Sequence, residues 1–64
     1  MIKEYDVVRL TRQMESAPLP AGTTGTVLMI FEGDPPSYMV EFMNESEDSL
    51  GTFIVQAGDL AAAT

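Results

Sequence analysis

Gly22-Thr-Thr-Gly-Thr-Val-Leu-Met-Ile-Phe31 is the stretch whose reading decides the fold. Two glycines open it and an uninterrupted apolar run, Val27 to Phe31, completes it. Glycine accepts backbone angles and close approaches that a Cβ forbids, so this pair marks a tight lead into whatever the run forms. The run carries β-branched and aromatic residues and stops at Glu32-Gly-Asp-Pro-Pro, which favours a buried strand over residues 26–31 rather than a helix.

Downstream, Tyr38-Met-Val-Glu-Phe42 alternates, so Tyr38, Val40 and Phe42 share the core face while Met39 and Glu41 point away. Asn44-Glu-Ser-Glu-Asp-Ser49 is a polar hairpin loop, and Leu50-Gly-Thr-Phe-Ile-Val55 returns as the next strand, with a bulge or bend at Gly51. Gln56-Ala-Gly-Asp-Leu60 reads as a single turn that tucks Leu60 onto the open end of the sheet, with Asp59 placed to bond a nearby amide. Residues 61–64 have little to anchor them and are expected to fray as a short tail after a single domain over residues 1–60.

Upstream, residues 6–10 form the first strand, with Val8 and Leu10 on one face and Tyr5 and Val7 covering an edge or a second, smaller cluster. Residues 11–21 form the longest loop, because Pro18 and Pro20 cannot donate in a central strand. Leu19, held between them, is expected to plug the barrel. Pro-Leu-Pro lacks the spacing of a proline-rich ligand, which favours this structural role.

Short strands at this spacing, one long early loop and a closing turn predict an all-β fold: a small antiparallel barrel of four to five strands. Tyr5-Asp-Val-Val-Arg-Leu10, Leu19-Pro-Ala-Gly-Thr-Thr-Gly-Thr-Val27, Tyr38-Met-Val-Glu-Phe42 and Asp59-Leu60 together resemble a family of short bacterial proteins known only as a domain of unknown function. The resemblance covers most of the chain and implies an SH3-like barrel. Its Gly-x-x-Gly-Thr-Val element is shared with other SH3-like barrels, such as the KOW module and the nitrile hydratase β-subunit. Relatives often have an acid where Thr23 stands and polar residues where Met29 and Met39 stand. The comparison turns Leu28 and Ile30 inward and Met29 outward, so the expected core is Leu10, Leu28, Ile30, Val40, Phe42 and Phe53.

The inventory narrows the chemistry. The 64 residues include no Cys and no His, which removes disulfides, thiolate or imidazole zinc sites and Ser-His or Cys-His catalysis. Carboxylates remain, but a chain this short hardly builds the cleft that glycoside hydrolysis needs, so no catalytic or cofactor-binding residue is assigned. Ten acidic residues against three basic ones give a net charge of −7, which repels a phosphate backbone and argues against nucleic acid. The same charge suits a basic protein partner, and an accessory subunit that modulates an enzyme or toxin is the alternative reading. The Glu45, Glu47 and Asp48 cluster lacks calcium-loop spacing and reads as a solvated turn rather than a metal site. No apolar stretch is long enough for a membrane span or signal, so the expectation is a cytoplasmic protein.

A surplus of apolar residues remains. Pleating places Met39 and Met43 opposite Tyr38, Val40 and Phe42, and Met29 joins them on the family comparison. Met29, Met39 and Met43 are therefore expected in or beside an interface of a homo-oligomer, a dimer or larger.

Overall fold

Among the described residues, the apolar runs become five strands and one helical turn: β1 (Val7–Leu10), β2 (Thr24–Phe31), β3 (Ser37–Met43), β4 (Ser49–Gln56), a 3₁₀ turn (Ala57–Asp59) and β5 (Leu60–Ala62). The structure, a computed structural model, describes residues 2–15 and 17–63. All strand pairs are antiparallel, in the order β4-β3-β2-β1-β5.

That order forces the sheet to bend. In a flat sheet β4 and β5 would lie about 19 Å apart, four spacings of about 4.8 Å. Only the 3₁₀ turn joins them, and at about 2.0 Å per residue it reaches about 8 Å from Gln56 to Leu60. The two edges are therefore drawn together around a common interior. Thr11 N donates to Asp59 O and Ala57 N to Pro36 O, tying the turn to both ends of the sheet. The result is an all-β fold consistent with a small SH3-like barrel.

The interior is filled by Val8, Leu10, Val27, Tyr38, Val40, Phe42, Val55 and Leu60, with Ala17 and Leu19 arriving from the long loop. Leu19 plugs the barrel as expected. Met14 N donates to Leu19 O and Leu19 N to Ala17 O, which folds the loop back so that the flanking prolines stay exposed. Phe53 packs against this core partly buried, its ring 6.2 Å from that of Phe42 and tilted by 42°.

Phe42 is fully buried, and both residues across from it are glycines: Gly25 on β2 and Gly51 on β4. A Cβ on Gly25 would stand 2.7 Å from Glu41 O, 2.7 Å from Val40 Cγ1 and 2.9 Å from Phe42 Cδ1. Close approach is what requires this glycine. Gly51 is required for its backbone instead, with φ +122° where the register of β4 shifts and Leu50 is left without a partner.

Three expectations are corrected. Leu28 and Ile30 are not core residues. Val27 pairs with Val40 and Met29 with Met39, so Leu28 is the extra residue of a bulge, and simple alternation fails within β2. Val27 is held inward two residues after buried Gly25, and the bulge then resets the pleat so that Met29 still points out. Ile30 does fall opposite Tyr38, but near the end of the strand, where it remains 36% exposed. Second, Tyr5 and Val7 form no cluster; both are exposed.

Third, the tail does not fray where expected. Ala61 and Ala62 belong to β5 and face Arg9 and Val8, and Ala63 N donates to Val7 O. The free edge of β1 offers unpaired backbone groups, and small alanines meet it without obstruction. Thr64 lies outside the described residues.

Candidate interaction surface

The outward face of β2, β3 and β4 is read directly from their register. Met29 lies opposite Met39, and Met39 opposite Ile54, which makes one apolar row across three strands. Phe31 continues it along β2, two residues from Met29 on the same face. Met29 is 47%, Phe31 39% and Ile54 52% exposed, with Met39 half-buried between them. Cross-strand neighbours on one face stand about 5 Å apart at Cβ, so these side chains touch or nearly touch.

The neighbouring row is polar: Thr26, Glu41 and Thr52. Ser49 Oγ donates to Glu41 Oε2 at 3.2 Å, which draws that carboxylate toward the start of β4 and away from Met29 and Met39. Beyond it come Thr24, Met43 and Ser49. Met43 is thus about 13 Å along β3 from Met39, with a polar row between them. It lines a separate open depression of ≈ 470 Å³ with Leu50 and Pro20.

The register therefore unites Met29 and Met39 and sets Met43 apart. Ile54, which the sequence reading passed over, takes the third place. The alternation of Phe53, Ile54 and Val55 carries the signal: with Val55 buried and Phe53 packed on the core, Ile54 must face out.

Asn44 organises the acidic loop. Its Oδ1 accepts from Ser46 N at 2.9 Å and Asp48 N at 3.0 Å, and its own N donates to Asp48 O. Glu47, at φ 65°, closes the turn. Glu45, Glu47 and Asp48 are left exposed on a loop satisfied by its own hydrogen bonds, and among the described residues no three metal-ligating side chains gather. Arg12 Nε lies 3.8 Å from Asp59 Oδ1 and Arg9 Nη1 donates to Ala62 O, so both arginines serve the chain's own surface. Among the described residues no helix is long and apolar enough to cross a membrane.

No curated protein and no solved structure matches the chain. A family model does, over residues 4–61, a span that runs from just before β1 into β5 and includes the whole outward row. The chain belongs to the family described as a domain of unknown function, DUF4926.

Proposed function

We propose that this domain is a non-enzymatic interaction module that self-associates, with the row Met29, Met39 and Ile54 at the contact and Met43 outside it. The observation that carries this reading is the row itself: an uncharged, half-exposed apolar band across three adjacent strands of a chain whose net charge is −7. A domain of this size buries only about 60% of the surface its unfolded chain exposes, and this one has no cysteine to staple it. Apolar area buried between copies contributes about 25 cal/mol per Å² before the costs of association. Methionine suits such a contact because its unbranched chain adapts to the opposing surface.

Mutual repulsion of two acidic chains opposes the contact and is screened over about 8 Å at physiological salt, so association strengthens with ionic strength. Light scattering across a salt series, on the wild type and on Met39→Glu, tests this. The expected result is an oligomer favoured by salt and lost in the variant. A wild-type monomer at every salt and high protein concentration defeats the reading. Recovery of a stoichiometric basic protein from the source cell, with the chain itself monomeric, would favour the accessory-subunit alternative.

A further inference from the structure

From the Tyr38 end of the barrel, we infer a docking site for a lysine side chain carried by a basic protein partner. The lysine stem lies against Ile2, Ile30 and Pro36, and its ammonium group is received by the Tyr38 hydroxyl and the Glu32 carboxylate. This site stands apart from self-association. Ile30 and Tyr38 oppose each other on the inner side of the sheet, while Met29 and Phe31 flank Ile30 on the outer side.

Tyr38 carries the argument. Its ring completes the inner face beside Ile30 and Val55, a task that phenylalanine would perform as well, and the residue is only 5% exposed. A tyrosine hydroxyl so placed ordinarily finds a partner within the fold. Among the described residues this one has none. Yet no sealed side-chain polar atom there is left unsatisfied, so the hydroxyl keeps an opening to solvent. The opening is a depression of ≈ 440 Å³ lined by Ile2, Ile30, Glu32, Gly33, Pro36 and Tyr38. Its walls are held by the fold: Ile30 is paired within the sheet, Ile2 packs against the core and Pro36 O accepts from Ala57 N at 3.2 Å. The depression therefore exists before any partner arrives.

Charge selects the occupant. Glu32 is exposed and shares its turn with Asp34, and no residue lining the depression is basic. Neither Glu32 nor Lys3, which follows Ile2, forms an ion pair among the described residues, so the chain's own lysine leaves the site open. Apolar walls with one hydroxyl and one carboxylate match lysine, whose four-carbon stem buries while its three N–H donors seek acceptors. The net charge of −7 draws a basic surface toward the domain. A protein is the carrier because the depression is open. Small-molecule sites cover about 70 to 90% of their ligand, which an open depression does not, whereas a protein adds contact beyond the rim.

The test is a titration of the full chain, followed by its amide NMR shifts, with an acetylated and amidated pentapeptide, Ala-Lys-Ala-Lys-Ala. Shifts are expected to concentrate at Ile2, Ile30, Glu32, Gly33 and Tyr38, with binding that weakens as salt is added. Self-association strengthens with salt, so the two readings separate in one series. Tyr38→Phe is expected to weaken binding about tenfold, the loss of one hydrogen bond to a charged group. Glu32→Gln is expected to weaken it about threefold, as for an exposed ion pair, and its exposed position keeps the test valid even if Tyr38→Phe fails to fold. The same peptide with norleucine in place of both lysines should not bind. Shifts centred elsewhere, equal binding of the norleucine peptide, or wild-type affinity in either folded variant overturns the inference. Binding of n-butylammonium as tight as that of the peptide overturns the protein partner in favour of a free amine.

Discussion

The two faces of β3 carry the same alternation and meet opposite constraints. On the inner face Tyr38, Val40 and Phe42 are all but sealed from solvent, and Phe42, the largest fully buried side chain, has a glycine on either side. On the outer face Met39, Glu41 and Met43 are half-buried, and the rows they belong to change from apolar to polar within two residues. Shape governs the inside, where every volume has a neighbour in contact. Chemistry governs the outside, where adaptable side chains leave the surface free to meet something else.

Breaking the inner face should have the largest effect. Phe42→Ala removes the ring that fills the space between Gly25 and Gly51, at a cost of about 3 to 5 kcal/mol, comparable to the whole margin of so small a domain. The expected outcome is a chain without a cooperative melting transition by circular dichroism. Unchanged melting would mean that the inner face does not depend on this ring.

Overfilling the same face comes next. Gly25→Val places atoms against Glu41 O, Val40 and Phe42 and should cost about 3 kcal/mol. Gly33→Val meets only Pro35 O, at 3.1 Å, in an exposed turn, and should cost clearly less. Urea midpoints compare the two, and equal values would remove the special standing of Gly25.

The β2 bulge sharpens the boundary between the faces. Val27→Ala should destabilise by about 2 kcal/mol and Leu28→Ala by less than about 1, because the first is fully buried and the second is the unpaired residue. The reverse order in denaturation would show a β2 without the bulge. Smallest in stability is Met39→Glu, expected to shift unfolding by about 1 kcal/mol or less while abolishing the oligomer seen by light scattering. A variant that stays oligomeric would move the contact off this face.

Much of the barrel was legible because period-two alternation reports burial wherever a strand pairs regularly. Tyr38, Val40 and Phe42, the pair Val8 and Leu10, the plug at Leu19 and the tucked Leu60 all occupy the places their patterns assign. The special role of Gly25 was legible too, though its cause, a backbone carbonyl and two side chains that leave no room for a Cβ, was not. The family comparison misled at Leu28, since a bulge inserts a residue without leaving a distinctive letter in the chain.

The sequence by itself determined the strands, their turns, the acidic surface and the lack of thiol and imidazole chemistry, because each depends on local backbone preference or on simple inventory. Only the tertiary structure decided that Ala61 and Ala62 extend the sheet beside β1, and that Ile54 rather than Met43 stands beside Met29 and Met39. These outcomes depend on register. Register is set by contacts between strands distant in sequence, where one extra residue in β2 or β4 changes every neighbour that follows it.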